Sequence, residues 1–269
     1  MKQWVVENKD NDFDGLAYKD APVPKVGERE VLVKLYAASL NYRDLIIPKS
    51  KYPFPAKFPM VPASDGSGEV VEVGPKVTEF KKGDHYGAID PPATLTGLGG
   101  VIDGTLREYG VFSKWAFTLT CAALTSWNAL YGLKPLNPGQ VVLVQGTGGV
   151  SMFGLQFAKA AGATVIATTL SAATVEKLKK LGVDYIINYK DDINWGESAR
   201  KLTPEGAGVD HIIKVGGLGT LTQSFKAINN IYIVRGVYMD SKELIKDIIR
   251  AIKANDIYSV LDKKVFTLN

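Results

Sequence analysis

The run Val141-Val142-Leu143-Val144-Gln145 passes directly into Gly146-Thr147-Gly148-Gly149-Val150-Ser151, so a glycine turn stands between an apolar strand pattern and the start of a helical one. The chemistry of such a turn is phosphate binding. Gly146 permits the tight turn, Gly148 lets the backbone approach a pyrophosphate, and Ser151 stands where close packing of helix on strand demands a small residue. Free N–H groups and the helix dipole then face the phosphates, which makes Gly146, Thr147, Gly148, Gly149, Val150 and Ser151 candidate cofactor-binding residues. A glycine turn without a ligand is the alternative. The strand, turn, helix and second strand in the expected order weigh against it.

The second strand predicted after this turn ends Thr168-Thr169-Leu170-Ser171, and no Asp or Glu occurs between Thr147 and Val175. A carboxylate at that strand end would bind the ribose 2′-hydroxyl of NAD. Its absence, with Thr169 and Ser171 as donors and Lys177 and Lys179 on the following helix, points to NADPH rather than NADH. Ser171 capping its helix and the lysines forming a solvated face is the plainer reading, and capping and phosphate binding can coexist. Tyr189 and Gly216, just past the next two strands, complete the predicted cofactor set.

The rest of the composition narrows the chemistry. One cysteine, Cys121, excludes a disulfide framework and a multi-cysteine zinc lobe and predicts a reducing, cytoplasmic compartment. His85 and His211 lack ligand-like spacing and read as surface or strand residues. With 32 basic and 28 acidic residues, spread without a basic block, no nucleic-acid surface is expected. The opening residues carry no secretory pattern. Trp115 to Leu133 has no charge, but its Thr, Ser and Asn residues predict a buried helix rather than a membrane span.

The chain has 269 residues, 46% hydrophobic and 22% charged, enough for one large or two modest domains. Residues 1 to about 118 are rich in β-branched runs broken by Gly and Pro, with strands predicted at Val31–Ala37 and Gly68–Val73. From about 137 the rhythm is βαβ. Strands are predicted at Val141–Gln145, Thr164–Thr169, Tyr185–Asn188 and Val209–Val215, with helices at about 150–161 and 172–181 closed by Gly162 and Gly182.

Four ordered motifs then carry a family resemblance. They are Ala38-Ser39-Leu40-Asn41-Tyr42-Arg43-Asp44-Leu45, Pro62-Ala63-Ser64-Asp65-Gly66-Ser67-Gly68, Cys121-Ala122-Ala123-Leu124-Thr125-Ser126-Trp127-Asn128-Ala129-Leu130, and Gln145 to Ser151. The chain resembles the zinc-independent, quinone-oxidoreductase-like and alcohol-dehydrogenase-like branch of the medium-chain dehydrogenase/reductase superfamily. The resemblance implies an α/β protein with an N-terminal GroES-like catalytic domain at 1–118, to which a shortened 256–269 returns. A Rossmann doubly wound parallel sheet at 119–255 follows, with a dinucleotide in the cleft between. It also implies a cytoplasmic oxidoreductase of small molecules, a possible homodimer, with no membrane or nucleic-acid partner.

In zinc-dependent relatives the metal is held by a cysteine, a histidine and a second cysteine. The matching positions here are Asn41, Ser64 and Cys121, so no zinc is expected and Cys121 reads as a small buried hydrophobe. Hydrogen-bond donors must then polarise a carbonyl or conjugated double bond. Asn41 matches a position lining the nicotinamide end, and Thr125 one contacting the nicotinamide or its ribose. Tyr52 matches a tyrosine beside the substrate and Tyr42 takes the place of a histidine, so either is a candidate proton donor or a packed amphipathic ring. Arg43 and Asp44 are expected to have structural roles.

Several stretches are short against the family pattern, including the loop after Lys82-Gly83-Asp84, the link from Ser113 to Cys121, and the passage from Ile228 to Ile231. The functional reading is an NADPH-dependent, zinc-independent reductase of a quinone, enone or aldehyde/ketone. A catalytically silent dinucleotide-binding or partner-binding protein is the alternative. The short passage after Ile228 also predicts that Ile231–Tyr238 pairs beside Val209–Val215 in a five-stranded sheet, covered by a helix at about Lys242–Ala254.

Overall fold

The computed structural model describes residues 1–8, 12–88, 97–113, 121–230, 233–237, 242–258, 260 and 265–268. The chain divides into two compact units, Met1–Cys121 with Lys263–Asn269, and Ala122–Asp262.

In the first unit β1 (Lys2–Val6) pairs antiparallel with β2 (Leu16–Asp20). A second antiparallel sheet has the order β5-β4-β3-β6, from β3 (Glu30–Ser39), β4 (Asp65–Val73), β5 (His85–Ala88) and β6 (Tyr109–Ser113). Alternation along β3 sends Val31 and Val33 inward against Val70, Tyr86, Leu98 and Phe112. The rings of Tyr86 and Phe112 stack at 5.6 Å, and burial pushes the Tyr86 phenol well above its ordinary range. The short helix α1 (Tyr42–Ile46) follows β3 directly, and β4 is tied to β3 down to the pair Ser39–Asp65. This is the β-rich unit that the β-branched runs predicted, and it agrees with the GroES-like domain that the resemblance implied.

The second unit begins within α2 (Cys121–Tyr131), whose Ala123, Leu124, Ser126 and Leu130 are buried. That helix lies inside the uncharged stretch, of which 115–120 fall outside the described residues. Among the described residues no helix is long and apolar enough to cross a membrane. An all-parallel sheet of order β10-β7-β8-β9 follows, built from β7 (Val141–Gln145), β8 (Thr164–Thr169), β9 (Tyr185–Asn188) and β10 (His211–Ile213). Every residue of β7 is buried, as a strand covered on both faces requires. Helices α3 (Gly149–Ala160), α4 (Ala172–Lys180), α5 (Trp195–Lys201), α6 (Leu221–Ala227) and α7 (Lys242–Asn255) complete the unit. Gly162 and Gly182, with φ of +77° and +82°, let the chain turn left-handed past α3 and α4.

Two expectations need correction here. The fourth strand is shorter than Val209–Val215: Val209 makes only a bridge to Ile228, and Val215 is exposed. The predicted strand at Ile231–Tyr238 is also absent where it is described. Ile231, Tyr232 and Tyr238 lie outside the described residues, while 233–237 join no strand and Ile233 and Val234 are 72% and 66% exposed. The chain immediately after α6 has already filled the place beside Val209. The Val209 N–H donates to the Ala227 carbonyl at 2.9 Å, the Val209 carbonyl accepts from the Asn229 N–H at 3.0 Å, and Arg200 Nη1 donates to the Ile228 carbonyl at 2.8 Å. Among the described residues this sheet therefore has four strands rather than five. The helix predicted after this segment does form, as α7, and packs against α3 with Ile248 fully buried.

Candidate functional site

In the second unit the glycine turn stands at the carboxyl end of β7. Gly146 has φ of +73°, a left-handed conformation that its lack of a Cβ allows. Gly148 is the N-cap of α3, and a Cβ on either glycine would meet nothing within 4 Å. The first helical bond runs from the Met152 N–H to the Gly148 carbonyl at 3.0 Å, so the N–H groups of Gly149, Val150 and Ser151 come ahead of it. Ser151 is fully buried, and its hydroxyl donates to the Gln145 carbonyl at 2.6 Å, fastening the helix start to the strand end. The Ser126 hydroxyl lies 2.5 Å from the Val150 carbonyl and 2.7 Å from that of Ala122, and the Gly149 backbone comes close to Ala122. Thr125 is half-buried one residue before Ser126 on the same helix, and Thr147 is half-buried in the turn.

The neighbouring strand ends surround this turn. Thr169 Oγ1 is 2.7 Å from Thr174 Oγ1 and accepts from the Ser171 N–H at 3.2 Å. Ser171 Oγ accepts from the Ala173 N–H at 3.2 Å, so it caps α4. Lys177 is exposed on that helix, while Lys179 pairs with Glu176. The Tyr189 N–H donates to the Thr169 carbonyl at 3.2 Å. Gly216 is joined to the glycine turn through a residue that motif reading passed over. Gln145 is buried, its Oε1 accepts from the Gly216 N–H at 3.1 Å and the Thr220 hydroxyl at 3.2 Å, and its Nε2 donates to Ser224 Oγ at 2.9 Å. A lone amide ending a run of Val and Leu was the signal available in the sequence. The crests of β7, β8, β9 and β10 thus gather polar groups at the carboxyl ends of parallel strands, where open α/β sheets bind ligands.

In the first unit Asn41, Asp44, Ser64, Asp65 and Cys121 come together. The Asn41 N–H donates to Asp44 Oδ2 at 2.7 Å, and Asn41 Nδ2 donates to Asp65 Oδ2 at 2.7 Å, with Ser64 Oγ 3.4 Å away. Asp65 Oδ1 accepts from the Cys121 N–H at 3.2 Å. Burial pushes both carboxyl groups above their ordinary range, opposed for Asp65 chiefly by the Asn41 hydrogen bond and for Asp44 by the Asn41 backbone N–H. Cys121 is half-buried rather than enclosed, which corrects its reading as a buried hydrophobe. Tyr52 packs against Val6, Ile47 and Met60, with the Arg43 guanidinium 5.2 Å from its ring centre and Phe54 edge-on at 5.5 Å. Tyr42, by contrast, is 75% exposed. His211 is a buried residue of β10 and His85 an exposed one of β5.

The three residues at the expected ligand positions, Asn41, Ser64 and Cys121, are poor donors for zinc. An amide already engaged by a carboxylate, a serine hydroxyl and a single thiol are a poor set for a metal that takes Cys, His or carboxylate ligands. Among the described residues no group of three or more His, Cys, Asp or Glu could hold a metal ion.

Residues 27–120 match the family of alcohol dehydrogenase GroES-like domains, and residues 149–230 match the zinc-binding dehydrogenase family. The chain is 39% identical to a zinc-type alcohol dehydrogenase-like protein of Schizosaccharomyces pombe over 316 residues, covering 97% of this chain and 91% of that one. An alignment longer than the 269-residue chain has internal gaps in it. The chain is also 37% identical to a chloroplast envelope quinone oxidoreductase homolog of Arabidopsis thaliana, over 74% of this chain and 63% of that protein. Among solved structures, one described as an alcohol dehydrogenase from Sinorhizobium meliloti 1021 superposes with a TM-score of 0.84 at 32% identity. That match covers 96% of this chain and 90% of the other.

Proposed function

The chain belongs to the medium-chain dehydrogenase/reductase superfamily of dinucleotide-binding oxidoreductases, and from that premise we propose a zinc-independent, NADPH-dependent reductase of quinones, enones or aldehydes and ketones. The observation that carries this reading is the open glycine cradle at Gly146 and Gly148, followed by a second strand whose end bears hydroxyl groups and no carboxylate. When bound, NADPH supplies a hydride to the electrophilic carbon of the substrate. The N–H groups at the start of α3 would hold the pyrophosphate, and Thr169, Ser171 and Lys177 would supply the donors and charge for the 2′-phosphate. The Tyr52 phenol is the better proton donor of the two tyrosines, because Arg43 and Phe54 fix its ring whereas Tyr42 is exposed. Its proton completes the two-electron reduction, leaving a hydroxyl group or a saturated carbon. The reading assigns 1–118 with 256–269 to the catalytic domain and 119–255 to the cofactor domain, in a cytoplasmic protein with one cysteine.

A second reading, a catalytically silent dinucleotide-binding protein, is favoured by the four-stranded sheet and the exposed Ile233 and Val234. A titration with NADPH and NADH, run beside turnover of a quinone and enone panel, decides between them. Turnover with NADPH supports the reductase. Binding without turnover supports the silent protein, and failure of both nucleotides to bind rejects the site.

A further inference from the structure

Asn41 lies between two buried carboxylates that engage different parts of it. Asp44 takes its backbone N–H and Asp65 takes its side-chain Nδ2, each at 2.7 Å. Which end of the Asn41 amide faces Asp65 is decided one partner further on. The other carboxylate oxygen of Asp65 accepts the Cys121 backbone N–H at 3.2 Å, and a backbone N–H cannot be exchanged for an acceptor. Asp65 Oδ2 accepts the Asn41 Nδ2 donor, so the amide presents its Nδ2 inward and its Oδ1 away from Asp65, where that oxygen accepts the Asp44 backbone N–H that opens α1 and keeps a second lone pair.

Asp65 itself is held firmly. It is 4% exposed, sits in β4 opposite Ser39 of β3, and its carbonyl accepts the Thr105 hydroxyl at 2.9 Å. Ser39 is two residues before Asn41, so the strand pair that fixes Asp65 also fixes the start of the loop that it steers. We infer that Asp65 is a positioning residue that locks Asn41 as a hydrogen-bond acceptor, so that Asn41 receives a hydroxyl or amide donor of the bound ligand. Asn41 therefore does not polarise the substrate carbonyl, and that task falls to the Tyr52 phenol. The inference rests on the reductase reading only in giving Asn41 a ligand to face.

Asp65→Asn tests it, because the two side chains have the same shape. Asn at 65 must keep its Oδ1 on the Cys121 N–H and turn its own Nδ2 toward Asn41, which then has to invert. In the native protein the Asn41 side-chain NH2, assigned by its loss in Asn41→Ser, should show one proton shifted downfield and slow to exchange. In Asp65→Asn both signatures should disappear while the backbone amide spectrum is kept. A native Asn41 NH2 with two averaged, fast-exchanging protons overturns the proposal, and this measurement stands even if the variant does not fold. In turnover, Asp65→Asn should lower kcat/KM at least tenfold in the native background and less than twofold in Asn41→Ala. Equal losses in both backgrounds overturn the positioning role. Absence of all turnover rejects the reductase reading instead, leaving the spectra to decide this one.

Discussion

Gly148→Asp separates the part of the glycine turn that the fold needs from the part that a ligand needs. Gly148 has φ of −74° and ψ of 166°, an extended conformation open to any residue, and a Cβ there would meet nothing within 4 Å. It is the N-cap of α3, where Asp can accept one of the unpaired N–H groups and is better than Gly by a few tenths of a kcal/mol. Loss of glycine's freedom in the unfolded chain adds about 0.4–1 kcal/mol in the same direction. The variant should therefore melt at the native temperature or roughly 1–4 °C above it. Its effect on a dinucleotide is opposite in sign. A carboxylate about 4 Å from a phosphate charge, at an effective dielectric constant of about 20, costs about 4 kcal/mol, or roughly a thousandfold in affinity. Melting followed by fluorescence, beside calorimetric titration with NADPH, reads both. NADPH binding within tenfold of the native protein refutes the phosphate site, and a fall in melting temperature of about 5 °C refutes the account of the cap.

Ser171→Asp keeps a good N-cap on α4 but puts a carboxylate at the proposed 2′-phosphate site, so the ratio of NADPH to NADH affinity should fall at least tenfold; equal native affinities would reject the specificity. Elemental analysis of the purified protein should find no stoichiometric zinc and chelators should leave turnover intact, whereas one tightly held zinc per chain would overturn the reading of Asn41, Ser64 and Cys121. Gly154→Ala should forfeit the roughly 1 kcal/mol that Ala ordinarily gains over Gly inside a helix, because its Cβ would lie 2.3 Å from Ile213 Cδ1 in the core and that methyl must turn away; a midpoint raised by the full helix gain would contradict this. His211 is held below the ordinary imidazole range by burial first and Lys134 second, so the unfolded chain takes up its proton before the native one does. Stability should fall as pH drops below about 6.5, by at most about 1.4 kcal/mol per unit, and His211→Val should remove that slope in urea titrations.

The elements that the sequence revealed are those whose burial is repetitive. β7, β8 and β9 follow from the short apolar stretches 141–144, 165–167 and 185–187, and α3 and α4 from helical spacing closed by Gly162 and Gly182. The error at 231–238 came from treating the edge beside Val209 as vacant. The last residue of α6 and the two after it were enough to satisfy Val209 through Ala227 and Asn229, a local arrangement with no periodic trace. The site behaves the same way. The glycine turn is written in consecutive residues, but Gln145 and Asp65 act through partners 71 and 56 positions distant, respectively Gly216 and Cys121. No spacing rule connects such pairs until strands bring them together.

The first unit is discontinuous in the chain: its main stretch ends at Cys121, and the segment Lys263–Asn269 joins it. Within it the Trp4 indole N–H donates to the Leu268 carbonyl at 2.7 Å, a partner 264 residues away. On a ribosome adding about 5–20 residues per second, Trp4 is made roughly 13–50 s before that carbonyl exists. Over this interval the whole stretch 122–262 is synthesised, so the first unit cannot complete its own hydrogen bonding until the second has been made. The indole of Trp4, 5.3 Å from the Tyr18 ring, is thus a built-in fluorescent reporter of the closing step.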